Sequence, residues 1–265
     1  MNYSKINNLT GWFCFLVATV SYILTLEPSV SFWDCGEFIA SALRMQVVHQ
    51  PGAPLFLMIQ RFFSLFAAGD LTKIAYFMNV GSAVASGATI LFLFWTITAL
   101  AKKLVLKPGE ELTSSKLIAI MGSGVVGALA YTYTDSFWFS AVESEVYALS
   151  SLFTAIVFWG ILKWEAHADE PRADRWLLFI AYIMGLSIGI HLLNLLTIPA
   201  IAFVYYFKKT PKPTNIGILK TFFVGILILA FVQYGIIQYV VSFGAYFDLF
   251  FVNTLGLGFG TGVLF

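Results

Sequence analysis

The sequence predicts an all-α fold, a polytopic membrane helical bundle. It has about seven transmembrane helices, plus interfacial juxtamembrane helices in the first outer loop. Three observations carry this. Hydrophobic residues make up 59% of the 265 and charged residues 11%, where soluble domains have about 25% charged. Mean hydropathy is +0.85, more apolar surface than a water-soluble fold of this size can hide. The apolar residues fall in runs near the roughly 20 residues that a helical span needs, not in the short alternating segments of a β-barrel.

The runs lie at about 11–27, 53–68, 74–101, 117–133, 146–162, 176–190, 192–207 and 221–243. The first follows Lys5 as a secretory signal would. The residues after it, Glu27-Pro28-Ser29-Val30-Ser31-Phe32, offer no small-x-small cleavage site, so it reads as an uncleaved first span. The second run is short and contains Arg61, and basic-residue bias decides whether it crosses. If it lies at the interface and the N-terminus is inside, the inner segments are 1–10, 102–116, 163–175 and 208–220. They hold Lys5; Lys102, Lys103, Lys107 and Lys116; Lys163, Arg172 and Arg175; and Lys208, Lys209, Lys212 and Lys220. Only Arg44, Arg61 and Lys73 are left outside. If it crosses, nearly all of the inner residues move outside. Seven spans follow, with an outer loop at 28–73, an outer turn near His191 to Asn194, and 244–265 outside. The whole, 1–265, reads as a single membrane domain. The glycine-rich stretch 253–265 looks like the opening of a further outer loop, which suggests a chain truncated at its C-terminus.

Net charge is +1, and no basic domain stands out, so nucleic acid is not an expected partner. The two cysteines, Cys14 and Cys35, fall at opposite faces and are not expected to pair. No CxxC, no Cys/His cluster and no phosphate loop of the GxxxxGK[ST] type occurs.

The acids divide by face. Glu110, Glu111, Glu165, Asp169, Glu170 and Asp174 sit among inner lysines and arginines. Glu27, Asp34, Glu37, Asp70, Asp135, Glu143, Glu145 and Asp248 are outside with few basic partners. A site is therefore sought on the outer face. Asp34 and Glu37, three apart, share one face of a helix. In a partly apolar setting between Trp33 and Phe38, a carboxylate can serve as a general base, or two can hold a divalent metal. Asp34 equally reads as the N-cap of a short helix 35–44. His49, in His49-Gln50-Pro51-Gly52-Ala53-Pro54, precedes a helix opened by Pro54. It is either a loop histidine or a ligand for substrate phosphate or sugar. Glu143 and Glu145 enter a span, where unpaired acids are costly. They mark either a site or an ion pair to Arg44 or Arg61. His191 and Asn194 are either a buried polar helix contact or part of a phosphate-binding face.

At Ser31-Phe32-Trp33-Asp34-Cys35-Gly36-Glu37-Phe38 and His49-Gln50-Pro51-Gly52-Ala53-Pro54 the sequence resembles the bacterial, Bacteroidota-type relatives of the transmembrane protein O-mannosyltransferases. That family was formerly a domain of unknown function. More remotely, the chain is similar to the GT-C glycosyltransferase superfamily. The resemblance covers most of the chain from about Tyr22. It implies a polyprenyl-phosphate sugar donor, and a protein or glycan acceptor on the outer face. It implies Asp34 as the catalytic aspartate after the first span, with Glu37 beside it. Beside that resemblance, the residues read above, Arg44, His49, Arg61, Glu143, Glu145, His191 and Asn194, stand as candidate substrate-binding residues. In the superfamily pattern a glutamate often follows the aspartate directly, whereas here Cys35 and Gly36 intervene. The mannosyltransferases' His-Pro-Pro stands here as His49-Gln50-Pro51. A divalent metal is a candidate cofactor, with Asp34 and Glu143 as candidate ligands. The expected location is the inner (cytoplasmic) membrane, with the N-terminus cytoplasmic and the site periplasmic.

Two other readings compete. A transporter or flippase for a lipid-linked substrate would need polar groups at mid-membrane, yet the runs carry almost no ionisable residues at their centres. A non-catalytic scaffold subunit would leave the outer acids buried and paired.

Overall fold

The computed structural model describes residues 2–107 and 109–264, with the side chains of Val241 and Val263 left aside. Among the described residues the regular structure is helical. The helices are α1 (Tyr3–Leu24), α2 (Cys35–Arg44), α3 (Pro54–Ser64), α4 (Ile74–Val105), α5 (Ser114–Thr132) and α6 (Asp135–Ala141). They continue with α7 (Val146–His167), α8 (Arg175–Ile188), α9 (Ile198–Lys209), α10 (Asn215–Ala230) and α11 (Tyr239–Leu255). The chain divides into two compact units, Met1–Asn194 and Leu195–Phe265. The sequence reading was of one membrane domain.

In the first unit α4 is the central post. It packs against α1, α3, α5 and α7. At 32 residues and 1.5 Å per residue it is about 48 Å long, more than a hydrocarbon core requires. Its inward positions are small: Gly81, Ser82, Ala83, Ala85, Ser86 and Gly87 are all buried. Small residues let helices approach closely where lipid supplies no hydrophobic drive between them. A Cβ at Gly87 would collide with Thr19 Oγ1 and come within 3.3 Å of the Phe15 carbonyl on α1.

Local signals explain the helix starts. Asn2 caps α1 by accepting from the Lys5 N–H (3.1 Å), and Thr113 caps α5 at Lys116 N (3.4 Å). Pro54 stands in the first turn of α3, where its missing N–H costs nothing. In α2 the buried apolar side Cys35, Phe38, Ile39 and Ala42 follows the i, i+3, i+4, i+7 spacing of an amphipathic helix. This helix has the expected ends, 35–44. The run at 53–68 becomes α3 and one 3₁₀ turn, shorter than the roughly 20 residues a straight span needs.

Among the described residues five helical stretches are long and apolar enough to cross a membrane: 3–24, 71–105, 114–132, 146–167 and 215–253. The expected seven are not reached by length. The runs 176–190 and 192–207 form α8 and α9, of 14 and 12 residues, short of the about 20 a straight span needs. The physical reason lies at their junction, where α8 stops at Gly189 and residues 192–197 tighten into a 3₁₀ stretch. Even so, α8 runs back along α7. Trp176 packs on Trp159 (ring centroids 5.6 Å), and His191, just past α8, packs on Tyr147 in the first turn of α7 (5.5 Å).

A core cluster that includes Phe38, Val48, Phe56, Met78, Val146, Leu149 and Ile190 ties α2, α3, α4, α7 and the turn after α8 together. It forms the floor of the region described next. In the second unit α9 packs on α10, and a π-helical stretch, Phe231–Gln238, joins α10 to α11.

Candidate active site

The loop after α1 is held from both sides. Asn79, on α4 and 1% exposed, donates from Nδ2 to the carbonyls of Glu27 (2.8 Å) and Ser29 (3.0 Å). The Glu27 N–H donates to the Val142 carbonyl (3.2 Å). Trp33 follows with φ 59°, a left-handed conformation that a bulky residue adopts only when its surroundings impose it. It is highly exposed, as is Phe32. Asp34 comes next.

Asp34 occupies the N-cap position of α2, but its side chain makes no capping hydrogen bond. The capping reading from sequence is therefore correct for position and not for the carboxylate, which is more than half exposed. Glu37, one turn on, is committed. Its Oε1 accepts the His49 backbone N–H (2.7 Å), and its Oε2 lies 2.8 Å from His49 Nδ1. The opposite ring nitrogen, Nε2, stands 3.9 Å from Asp34 Oδ2. The His49 ring also rests against Phe38 (5.6 Å), which rests on Phe56 (5.0 Å). The hydrogen bond that the His49 ring donates to the Glu37 carboxylate raises the pKa of His49 above the ordinary imidazole value and lowers that of Glu37.

Beneath this exposed triplet lie two buried carboxyls, Glu143 and Glu145, 4% and 6% exposed. Burial raises the pKa of both. Ser31 and Cys35 partly oppose this at Glu143, and the Val146 N–H does at Glu145. Glu145 caps α7, with its Oε2 accepting from Val146 N (2.6 Å), and it feels the charges of Asp34 and His49. Glu143 Oε2 and Ser144 Oγ are buried with no hydrogen-bond partner among the described residues. Cys35 is buried and free, as is Cys14. Burial and the neighbouring glutamates push the Cys35 thiol pKa up.

The expected pairing of these acids with Arg44 or Arg61 is not found among the described residues. Each arginine lies in the last turn of its own helix, where unsatisfied carbonyls favour a cation. Arg44 is exposed, and Arg61 donates to Ser64 Oγ (3.1 Å). The acids sit instead at the N-terminal end of α7, which favours negative charge.

His191 joins the neighbourhood through Tyr147. Its Nδ1 accepts the Leu193 N–H (3.1 Å), and burial lowers its pKa, so the ring is neutral. The preceding turn is fastened by Gly189, whose carbonyl accepts from Leu55 N (2.7 Å) and Phe56 N (3.2 Å). A side chain at Gly189 would press on Leu55 Cβ at 3.1 Å. Asn194 is fully buried and donates to Ser187 Oγ (3.0 Å), in agreement with its reading as a polar helix contact. Asn79 and the Gly189 carbonyl are contributors the sequence reading missed. Asn79 left a signal, an amide near the start of a long apolar run. The Gly189 contact is backbone to backbone and left none.

Among the described residues Asp34, Glu37 and His49 can each offer one ligand atom within 4.8 Å of the others. Two carboxylate oxygens and an imidazole suit a divalent cation, and a Glu37 bond to one ring nitrogen is the usual way to orient the other toward a metal. Glu143, the second candidate ligand from the sequence, is not in this group, because it is buried on the other side of α2's first turn beside Cys35.

The sequence model of the protein O-mannosyl-transferase TMEM260 N-terminal domain matches residues 34–214, beginning at Asp34. The chain belongs to this family. Its relatives include protein O-mannosyl-transferase tmem260 of Dictyostelium discoideum, 24% identical over 216 residues. That match covers 78% of this chain and 24% of the relative. Protein O-mannosyl-transferase TMEM260 of Mus musculus is 27% identical over 179 residues, covering 67% of this chain and 22% of the relative. The chain thus matches about a quarter of the length of either relative. No solved structure matches. Within the matched family region lie Asp34, Glu37, His49, Glu143, Glu145 and His191, which converge on one end of the first unit.

Proposed function

We propose that this chain carries the acid-base centre of a GT-C-type membrane glycosyltransferase. It would move a sugar from a polyprenyl-phosphate donor to a hydroxyl on the outer face, such as a protein Ser or Thr. The observation that carries the reading is Asp34. It is a carboxylate at a helix start that caps nothing, open to solvent, beside a histidine clamped by Glu37, at the point where the family match begins.

In the proposed step the acceptor oxygen attacks the anomeric carbon. Its proton passes to Asp34, and the bond from that carbon to the phosphate oxygen breaks, with the electron pair leaving on the lipid phosphate. One inversion follows. Glu37 holds His49 in place and raises its pKa, which favours the protonated ring and so adds positive charge to the site. Arg44 and Arg61, without carboxylate partners among the described residues, are the other cations available to the donor. Glu143 and Glu145, whose pKa values burial raises, can meet sugar hydroxyls, and the neutral His191 can add a further contact. Were a divalent ion bound instead, Asp34, Glu37 and a neutral His49 would hold it, and its charge would replace that of the imidazolium.

The charge pattern supports the matching topology. The N-terminus lies on the cytoplasmic side of the inner membrane, α2 and α3 lie at the periplasmic interface, and the acid cluster is periplasmic. The test is to incubate the purified protein with a panel of polyprenyl-phosphate sugars and a Ser/Thr-containing acceptor peptide, with and without a divalent-metal chelator. Release of polyprenyl phosphate coupled to peptide glycosylation is expected. Absence of release from every donor, with folded protein, overturns the reading. Loss of release with chelator assigns the metal, and unchanged release removes it.

A further inference from the structure

The end of the first unit opposite the acid cluster holds a cavity of about 610 Å³ between the start of α1 and the ends of α4 and α7. Four lysines line it: Lys102, Lys103 and Lys107 from α4 and the segment after it, and Lys163 from α7. Local carboxylates account for part of this charge. Glu165 pairs with Lys103, and Glu170 with His167. Among the described residues Lys102, Lys107 and Lys163 have no ion pair. Two of them are held over aromatic rings instead, Lys102 Nζ 4.6 Å from the Tyr3 centroid and Lys163 Nζ 5.3 Å from that of Trp159. Cation–π contact orients an ammonium without neutralising it, so three positive charges face one cavity.

The walls say what kind of anion fits. Below the lysines Trp159 packs on Phe92 (5.2 Å), Trp95 (5.9 Å) and Trp176 (5.6 Å). Trp95 lies seven residues before Lys102, about 10 Å along α4. An aromatic cluster one to two turns inside a ring of lysines is the arrangement found at headgroup depth. The remaining walls are apolar, with Leu106 and Leu162 among them. The Trp95 indole N–H and Asn7 Oδ1, both on residues lining the cavity, are buried without hydrogen-bond partners among the described residues. A free phosphate would use the lysines and leave the apolar walls bare. An anion carried on an acyl chain uses both.

We propose that this cavity is a binding site for the phosphate headgroup of an anionic membrane lipid. Lys102, Lys107 and Lys163 meet the phosphate, and the acyl chain lies on the aromatic and apolar wall. The inference is independent of the sugar-transfer reading, since it uses neither the acid cluster nor the family.

The test is native mass spectrometry of the delipidated full chain, titrated with phosphatidylglycerol, with phosphatidylcholine of the same chains, and with inorganic phosphate as competitor. Phosphatidylglycerol is expected to bind and phosphatidylcholine not. The double variant Lys102→Gln/Lys163→Gln is expected to weaken binding about thirtyfold, since each lysine near an anionic lipid contributes roughly a factor of five. The charge-matched control Lys212→Gln/Lys220→Gln, in the other unit, should change it less than threefold. If the double variant does not fold, Lys163→Gln alone should weaken binding about fivefold. Equal losses in the test and control pairs, or equal binding of the two lipids, would overturn the proposal. Displacement of lipid by equimolar phosphate would overturn the lipid assignment and give the site to a free anion.

Discussion

The two ends of the first unit are built from the same helices and treat charge in opposite ways. At one end the start of α7, the first turn of α2 and the loop at His49 gather Asp34, Glu37 and Glu145 around one histidine, with Glu143 buried beside Cys35, and Arg61 turns back on its own helix. At the other end, α4 and α7 finish in lysines that keep their charge over aromatic rings. Neither end neutralises itself. The helix dipoles contribute to the division, since α7 begins among the acids and ends among the bases. Charge left unbalanced at a helix end costs stability unless something binds it. The acid end offers a proton acceptor, whereas the basic end offers an anion seat, and bundle position alone separates the two roles.

The comparison can be broken most sharply by orientation. The native cysteines are buried, so a cysteine placed at the exposed Phe32 or Leu104 is a clean label site. In intact cells an impermeant maleimide should modify Phe32→Cys fully and Leu104→Cys only after permeabilisation. The reverse pattern would place the acid end inside.

A smaller effect is expected from loosening the histidine. Glu37→Gln and His49→Ala should each lower transfer about 10-fold to 100-fold, the cost of misplacing a catalytic group by about 1 Å, with folding retained. The pH sign follows from the paired shifts. The contact is present where His49 is protonated and Glu37 ionised, and it weakens as pH rises through the raised His49 value. In an NMR titration the His49 midpoint should lie above 6.5, its ordinary value, and fall in Glu37→Gln. An unchanged midpoint would remove Glu37 from the role.

The smallest effect concerns Glu143. Its folded pKa is raised by burial, so the folded state loses stability as pH climbs above the unfolded carboxyl value of about 4.3. Thermal unfolding followed against pH should show this decline, and Glu143→Gln should flatten it, by roughly 2–4 °C. An equal slope in the variant would mean Glu143 is ionised in its pocket.

Much of this division was legible in the chain itself. Most basic residues fall in segments between the apolar runs at one set of alternating ends, and Asp34 as a cap marks the start of α2, whose ends stand at 35–44 as expected. Asp34, Glu37 and His49 could be chosen as residue types, and they do meet. What could not be read is set by backbone geometry. The Gly189 carbonyl that receives α3 has no side-chain signature. The 3₁₀ stretch at 192–197 shortens two expected spans because a hydropathy run does not report helix pitch. The choice of Arg44 and Arg61 as partners for Glu143 and Glu145 failed because proximity in topology says nothing of which way a long side chain turns.

The most direct measurement is transfer by Asp34→Asn beside the wild type, following polyprenyl phosphate release, with thermal unfolding as the check on folding. An equally folded variant with transfer reduced about 10²-fold to 10⁴-fold, the range a general base supplies, is the result expected. A folded Asp34→Asn protein that transfers sugar at the wild-type rate would contradict the assignment of the acid end as the catalytic one.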